Sequence, residues 1–418
     1  MKNRISILTI LFFISIKSIA VQPFANGADV SWLPQMEATG YVFKNDNGVS
    51  EDCLKILKDK GINSIRLRTF VNPSTNRTSG HCSKDETVAM AVRAQQMGMR
   101  IMIDFHYSDT WADPAHQAKP AAWVGHSFTE LLDDVYNYTF DVMNALKTAG
   151  VTPEWVQVGN EIPSGMIYPE GSNESSWTQL IQVINKGYDA IKTVSSTSKV
   201  ILHVDQGNDN SRFRWWFDNA KNGAAKYDII GMSYYPYWLS GSPNFTLSIN
   251  DLGNNLNDMV SRYGKEVMVV EIGGVDTEAQ NTFDMLTAVI AKVKAVPNSK
   301  GLGVFYWEPE GAKSWSGYSL SAWGNNGQPT IAMNAFNNLT ANYTPNESSV
   351  KLFLNRQNSE LEFSVICSKI EILNLNGMIL DSITNSNSIN IQQLPKGSYL
   401  IRTFGEKSKD VSIFKFIS

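Results

Sequence analysis

The chain has 418 residues, which is enough for one large catalytic domain and a smaller module. Its formal net charge of −4 gives no sign of the clustered basic surface that nucleic-acid binding requires, so we expect no nucleic-acid partner. Charged residues make up 18% and hydrophobic residues 43% of the chain, a balance that is ordinary for a folded protein and excludes a disordered one.

The first 20 residues have the three-part form of a secretory signal peptide. Lys2 and Arg4 precede an apolar run over residues 5–16, and Ser18 and Ala20 supply small residues at the −3 and −1 positions of a cleavage site. No later stretch approaches about 20 apolar residues, so we expect no membrane span. The mature protein is therefore expected to be secreted or held at the cell surface, with the periplasm also open.

Three cysteines, Cys53, Cys82 and Cys367, do not form an even disulfide framework. Cys53 and Cys82 would be able to pair in an exported protein, but buried free thiols fit the sequence equally well. Both interpretations stay open at this point.

Short apolar runs alternate with longer helical patterns between residues 26 and 338. Eight such runs have the composition of β-strands: 27–31, 64–68, 100–106, 155–161, 200–205, 228–234, 267–271 and 303–308. Helical patterns between them include 52–60, 86–97, 128–147, 177–194 and 282–293. Strand–helix alternation predicts parallel strands, and eight repeats predict a closed (β/α)8 TIM barrel of the α/β class.

Nearly every predicted strand ends in polar or aromatic residues. They are Asp29, Arg68, His106, Glu161, Asp205, Tyr235, Glu271 and Trp307. In a (β/α)8 barrel the carboxyl ends of all the strands meet at the active-site face, whereas an open doubly wound sheet concentrates such residues at one switch point. The barrel is the better fit.

The sequence changes character after residue 338. Residues 341–347 are polar and contain a proline, which is typical of a linker. Short β-like runs follow at 350–354, 361–365, 370–375, 389–391 and 399–403, without a cluster of ionisable residues. We therefore predict a signal peptide at 1–20, a catalytic domain at 21–344 and a small all-β module at 345–418.

Two glutamates end the fourth and seventh predicted strands. Glycosidic hydrolysis needs a proton donor for the leaving oxygen and a second carboxylate opposite it, and the retaining route places the two about 5–5.5 Å apart. Glu161 follows Asn160, which can donate to a sugar hydroxyl, and Glu271 precedes small residues that leave room for a substrate. A single strand-end glutamate is more often the partner of an arginine, but two at these positions favour catalysis.

Four segments resemble those of glycoside hydrolase family 53, the endo-β-1,4-galactanases of the retaining clan A. They are Gly-Ala-Asp-Val-Ser at 27–31, Asp-Phe-His-Tyr-Ser-Asp-Thr-Trp-Ala-Asp-Pro at 104–114, Gln-Val-Gly-Asn-Glu at 157–161 and Gly-Val-Phe-Tyr-Trp-Glu-Pro at 303–309. The resemblance implies Glu161 as acid/base and Glu271 as nucleophile. It also implies the β-1,4-galactan side chains of pectin as the polysaccharide substrate.

The same resemblance favours Arg66 over Arg68 as the cation that keeps the nucleophile ionised, with a barrel-wall salt bridge as the alternative for either, and it implies Trp307 as the platform under the reacting sugar. His106 stands at a strand end and is expected to contact the substrate or the nucleophile, with a structural histidine as the alternative. Trp111, Tyr234 and Asp29 are further candidates for substrate contact.

No cofactor or metal is expected. Some bacterial members of the family bind calcium in an acidic loop after the seventh strand, but here residues 273–278 pass directly into a helical pattern. We also expect a monomer.

The C-terminal segment resembles the type A sorting domains that direct proteins through the type IX secretion system. The matching stretches are Ile-Glu-Ile-Leu-Asn-Leu-Asn-Gly at 370–377 and Leu-Pro-Lys-Gly-Ser-Tyr at 394–399. The resemblance implies secretion machinery as a partner, and a generic β-sandwich spacer is the alternative.

Two other functions stay open at this stage. The same pair of acids serves other clan A endo-glycanases, which cut mannan or glucan. A non-catalytic glycan-binding surface protein would hold the polysaccharide without cleaving it.

Overall fold

The computed structural model describes residues 23–337 and, nearer the C-terminus, residues 352–355, 360–374, 378–395, 397–404 and 411–417. The predicted signal peptide lies outside these residues. The chain divides into two compact units, Met1–Thr340 and Ala341–Ser418. The division falls close to the predicted linker, and each unit is described by itself.

Eight parallel strands of the first unit close into a barrel, in which each strand pairs with the next and β8 pairs with β1. The strands are β1 Ala25–Asp29, β2 Ser64–Thr69, β3 Arg100–Phe105, β4 Trp155–Val158, β5 Lys199–Val204, β6 Ile229–Tyr234, β7 Glu266–Ile272 and β8 Gly301–Trp307. The predicted (β/α)8 barrel is confirmed.

Helices lie outside the barrel; the first eight stand between successive strands, and the last two follow β8. They are α1 Leu33–Ala38, α2 Cys53–Asp59, α3 Lys84–Gln96, α4 Phe128–Thr148, α5 Trp177–Val194, α6 Asn210–Asn222, α7 Ile249–Tyr263, α8 Ala279–Lys294, α9 Lys313–Ser316 and α10 Asn334–Asn337. Helix α4 begins at a capping box, in which the Ser127 hydroxyl accepts from the Glu130 backbone N–H and the Glu130 carboxylate accepts from the Ser127 backbone N–H.

Apolar side chains fill the barrel at its amino-terminal end. They are Ala25, Met102, Trp155, Ile201, Ile229, Met268, Val270 and Phe305. Gly27 lies opposite Phe305 in the β1–β8 pairing, and a Cβ at Gly27 would stand 2.1 Å from the Phe305 ring. Only glycine therefore leaves room for the ring in this packed interior.

Strand alternation and one irregularity decide which side chains reach the upper end of the barrel. In β6, Ile229 and Ser233 point inward, so Tyr234 points outward towards the helices. The register between β6 and β7 shifts so that Met232 pairs with Val269 but Ser233 pairs with Glu271. Such a shift has the geometry of a β-bulge, which redirects a side chain, and here it brings Glu271 beside Ser233.

The second unit is an antiparallel sheet in the order β11-β10-β12-β13, with β9 paired to β10. Its strands are β9 Leu352–Asn355, β10 Glu360–Asn374, β11 Ile379–Asn390, β12 Ser398–Phe404 and β13 Val411–Ile417. The described core residues of this unit include Leu361, Phe363, Ile370, Ile372 and Ile401. The predicted small all-β module is confirmed.

All three cysteines are buried and free, which settles the alternative that the sequence left open for Cys53 and Cys82. Across the residues that the structure describes, we find no helix with the length and apolarity that a membrane crossing requires.

The contact between Gly27 and Phe305 can be tested by a double-mutant cycle. Gly27→Ala is expected to destabilise the barrel by about 1–3 kcal/mol, because the added methyl group overpacks the interior against the Phe305 ring. In a Phe305→Leu background the same change should cost clearly less. Chemical denaturation of the four proteins measures this coupling, and equal costs in the two backgrounds would contradict the proposed packing.

Candidate active site

An open cleft of about 450 Å³ lies at the carboxyl ends of the barrel strands. Its lining consists of Trp111, Ala112, Asp113, Pro114, Asn160, Glu161, Asp205, Gln206, Asn208, Ser233, Tyr235, Trp238, Leu239, Glu271, Trp307 and Tyr318. These residues come from strand ends and from the loops that follow, which is the face where (β/α)8 enzymes place their chemistry.

Glu161 and Glu271 face each other across the floor of this cleft. A carboxylate oxygen of each lies within 4.8 Å of the other. The Ser233 hydroxyl lies between them, with Oγ 2.5 Å from Glu161 Oε1 and 3.4 Å from Glu271 Oε2. Glu161 has a φ of 41°, a left-handed conformation that is uncommon outside glycine, directly after the turn at Gly159. The strand therefore ends abruptly and presents the carboxylate to the cleft.

Arg66 is fully buried beneath the two glutamates. Its Nη1 donates to Asp29 Oδ2 at 2.8 Å, and its Nη2 donates to Asp104 Oδ2 and Asn160 Oδ1, both at 2.8 Å. The same Nη2 lies 3.8 Å from Glu271 Oε2, which is an ion pair without hydrogen-bond contact. Arg66, and not Arg68, is thus the cation beside the predicted nucleophile.

The surroundings of both glutamates shift their protonation. Burial, and to a lesser degree the charges of Asp205 and Asp113, raise the pKa of Glu161 to about 7. Burial also raises the pKa of Glu271 above its usual range, and Arg66 opposes that rise. Because the two carboxyls lie so close, they lose their protons as a pair.

Aromatic rings form one wall of the cleft. The Trp307 ring packs against Trp32, Trp111 and Tyr318, with centroid separations of 5.1, 5.5 and 4.8 Å. Trp238 lines the cleft from the loop after β6, and 70% of it is exposed. Flat apolar faces of this kind suit the C–H patches of a sugar ring, and Trp and Tyr add a polar edge.

Three of the predicted substrate contacts lie at the cleft surface. Asn160, Trp111 and Trp307 all line it. Asn160 Oδ1 accepts from Arg66, and its Nδ2 donates to the Ala112 carbonyl at 2.7 Å. The side chain is therefore held in one orientation beside Glu161.

His106 and Asp29 lie beneath the cleft and do not reach its surface. His106 Nε2 lies 2.9 Å from Asp104, and its Nδ1 accepts from the Ala112 backbone N–H. Both ring nitrogens are used, which corrects the expectation that His106 contacts substrate or nucleophile. Asp29 is fully buried and accepts from Ser31 and Arg66, so it positions the arginine and does not bind sugar.

The predicted contact by Tyr234 is also wrong. Its side chain is completely buried outside the barrel, where the hydroxyl lies 2.8 Å from Ser248 Oγ and donates to the Phe245 carbonyl. The next residue, Tyr235, lines the cleft instead. The reason is the two-residue period of a strand, which places neighbouring side chains on opposite faces.

Several residues of the site were missed from the sequence. Ser233, His203 and Gln157 lie inside the barrel around the glutamates, and Trp238 stands at the cleft rim. The first three were within reach of sequence reasoning, because each lies an even number of positions from another inward-facing residue of its strand. Trp238 belongs to an irregular loop, for which no periodicity exists.

One group of three side chains in the described part of the chain has metal-ligating geometry. Glu161, His203 and Glu271 each offer a ligand atom, all within 4.8 Å of one another. Arg66 already stands 3.8 Å from the Glu271 oxygen, and a second cation there would be repelled. The arrangement suits acid–base and nucleophilic chemistry better than metal binding.

Comparison with known families assigns both parts of the chain. Residues 25–341 match the model of glycosyl hydrolase family 53, and residues 344–417 match that of a secretion system C-terminal sorting domain.

Individual relatives cover the same region. An arabinogalactan endo-β-1,4-galactanase of Thermothelomyces thermophilus is 35% identical over 308 residues, which are 68% of this chain and 88% of the relative. A solved fungal β-1,4-galactanase superposes with a TM-score of 0.67 at 31% identity, covering 75% of this chain and 98% of that one. The family 53 catalytic domain of Ignisphaera aggregans gives a TM-score of 0.69 at 28% identity, covering 75% and 95%. The chain therefore belongs to glycosyl hydrolase family 53 and is a glycoside hydrolase with a C-terminal sorting domain.

Proposed function

We propose that the protein is a secreted, retaining endo-β-1,4-galactanase that hydrolyses the galactan side chains of pectin, the type I arabinogalactans. The observation that carries the mechanism is the approach of Glu161 and Glu271 within 4.8 Å, because an inverting enzyme needs about 6.5–9.5 Å to admit a water molecule. The names of the fungal relatives, arabinogalactan endo-β-1,4-galactanases at 33–35% identity, support the substrate.

The reaction proceeds in two displacements. Glu271 attacks the anomeric carbon while Glu161 gives its proton to the departing glycosidic oxygen, which leaves a glycosyl ester on Glu271. Glu161, now a carboxylate, then removes a proton from a water molecule that attacks the same carbon and releases Glu271. Arg66 favours the negative charge on Glu271 before the first step, since its guanidinium faces that carboxylate.

Endo action is supported by the form of the cleft. Aromatic side chains line the cleft from both arcs of the barrel between β4 and β7, which carry the two glutamates, with Trp307 at the end of β8 and Trp111 after β3 on one arc and Trp238 after β6 on the other. The cleft is open, so a polysaccharide can pass through it. A chain bound along its length is cut internally.

Export is supported at both ends of the chain. The first 20 residues have the features of a signal peptide, and residues 344–417 match a sorting-domain model. A polysaccharide substrate is too large to enter a cell intact, which fits an enzyme that works outside it.

Exchange of each glutamate tests the two roles. Glu271→Ala is expected to abolish turnover, and azide should restore activity on an aryl β-galactoside with formation of the α-glycosyl azide. Glu161→Ala should slow galactan cleavage by about 10²–10⁴-fold, spare substrates with good leaving groups in the first step and give the β-glycosyl azide. Product stereochemistry is read by proton NMR.

Glu266→Ala is the matched control, because Glu266 begins the same strand as Glu271 and pairs with Lys199 at its far end. It should retain wild-type activity. Wild-type turnover in either active-site variant would refute the role given to that glutamate.

Reducing-sugar release from galactan, mannan and β-1,3-glucan separates the proposed substrate from those of other clan A enzymes. Galactan binding without release would identify a non-catalytic protein.

The pH profile follows from the acid role of Glu161. The proton donor is present below its pKa, so kcat/KM on galactan should fall as the pH rises through about 7. Glu161→Gln has no group at this position that can ionise, so the residual kcat/KM of the variant on galactan should lack this alkaline limb. A limb that persists unchanged in Glu161→Gln would assign the titration to another group.

Trp238 can be tested as a stacking surface for the polysaccharide. It lines the cleft from the loop after β6, and 70% of it is exposed. Trp238→Ala should therefore lower kcat/KM on galactan by about tenfold, as expected for loss of a 1–2 kcal/mol stacking contact. Trp215→Ala, which removes an exposed tryptophan on α6, is the control. An equal loss in both variants would argue against this role.

A further inference from the structure

A line of buried side chains runs from Arg66 to Glu161 inside the barrel. Arg66 Nε donates to Gln157 Oε1 at 2.7 Å, and Gln157 Nε2 lies 3.0 Å from His203 Nδ1. His203 Nε2 lies 2.7 Å from Ser233 Oγ, which lies 2.5 Å from Glu161 Oε1. At most 1% of Gln157, His203 or Ser233 is exposed to solvent.

The chemistry of the donors gives this line a direction. A guanidinium can only donate, so it holds the Gln157 amide with its oxygen towards Arg66 and its N–H towards His203. His203 Nδ1 then accepts, and the proton of the neutral imidazole resides on Nε2. Burial and the neighbouring charge of Arg66 both lower the pKa of His203 well below its usual value, so the ring is neutral.

One contact opposes this tautomer. Asn160 Oδ1 lies 3.0 Å from His203 Nδ1 and would accept a proton there. That oxygen, however, already accepts from Arg66 Nη2, whereas a second donor, the Glu161 backbone N–H, points at His203 Nδ1 from 3.4 Å. Two donors against one acceptor, which Arg66 already contacts, favour the unprotonated Nδ1.

The tautomer of His203 decides which partner the Ser233 hydroxyl donates to. Since it accepts from His203 Nε2–H, its own proton remains free for a carboxylate, and Glu161 Oε1 is nearer than Glu271 Oε2. Glu161 Oε1 therefore accepts a hydrogen bond, and the acidic proton of Glu161 must be on Oε2.

We propose that Gln157, His203 and Ser233 are positioning residues that place the acidic proton of Glu161 on Oε2 and stabilise the carboxylate left after that proton is transferred. The proposal rests on the acid/base role given to Glu161 above. Ser233 also contacts Glu271, so one hydroxyl adjoins both the group that is charged before the first step and the group that is charged after it.

The Glu161 carboxyl is surrounded by groups that a pH experiment must take into account. Asp205 and Asp113 act on it by charge, as do Arg66 and the facing Glu271. Tyr235 is near enough that the charge of Glu161 raises the pKa of its phenol. All of these remain when Ser233 alone is changed, so a shift in the profile reports the lost hydroxyl.

Ser233→Ala tests the proposed role of this line of hydrogen bonds. Loss of a hydrogen bond to the ionised form raises the pKa of Glu161, so the alkaline limb of kcat/KM on galactan should move up by about one pH unit. We expect kcat to fall about tenfold with little change in KM. Ser233→Thr, which keeps a hydroxyl, should restore the wild-type limb and most of the rate.

Ser198→Ala is the matched control. Ser198, the residue before β5, is equally buried, but its hydroxyl donates to the Pro153 carbonyl. It should leave the limb in place. A wild-type limb in Ser233→Ala, or the same shift in Ser198→Ala, would overturn the proposal, with thermal melting used to confirm that each variant is folded. Failure of the wild-type enzyme to cleave galactan would instead refute the proposed function.

The tautomer of His203 can be measured without any turnover. In protein labelled with ¹⁵N-histidine, two-bond proton–nitrogen spectra separate the two neutral tautomers, and His203→Gln identifies the signal among five histidines. We expect the form protonated at Nε2. In the form protonated at Nδ1, His203 Nε2 would accept from Ser233 and the hydroxyl proton would not be free for Glu161. That result would refute the proposal, whatever the pH profile.

Discussion

The arrangement of the cleft depends on one buried cation, Arg66. Its guanidinium lies inside the barrel where no water replaces a lost partner, so its donors must be met by protein atoms. Asp29 and Asp104 supply charge, and Gln157 and Asn160 supply neutral oxygens. These partners come from the first, third and fourth strands, so the same contacts that satisfy the arginine also fix the upper end of the barrel. The cation is tolerated because it is fully partnered, and its remaining field is directed at Glu271.

The two glutamates reach this cation by different local means. Glu161 follows a left-handed turn at the end of the short strand β4, whereas Glu271 is brought inward by the register shift between β6 and β7. A regular seventh strand with Met268 and Val270 inside would point Glu271 outward, away from Arg66. The irregularity is thus a requirement of the site, and it explains why the oxygens of two residues on distant strands meet within 4.8 Å.

Sequence reasoning reached the parts of this site that repeat and missed those that do not. Eight apolar runs with polar ends predicted the barrel and brought Glu161 and Glu271 to one face, because parallel strands share an active-site end, whereas Arg66 was preferred to Arg68 only through the family resemblance. His106 was misread because a strand-end histidine looks the same whether its nitrogens face substrate or, as here, Asp104 and a backbone N–H. Strand periodicity places Ser233 and His203 inside the barrel, but their role carries no sequence signature, since it depends on partners from other strands.

Arg68, on the same strand as Arg66, packs against the aromatic wall of the cleft. Arg66 and Arg68 are two positions apart on β2 and therefore point to the same side. Arg68 pairs with Glu308, and its guanidinium stands 4.2 Å from the Trp111 ring centroid, at which distance a desolvated cation–π contact contributes about 2 kcal/mol. Glu308 follows Trp307 directly in the chain and also accepts from the Trp32 backbone N–H. A shift of the backbone at Trp307 would disturb this ion pair, so the aromatic wall is held by the same kind of buried charge that holds the two glutamates.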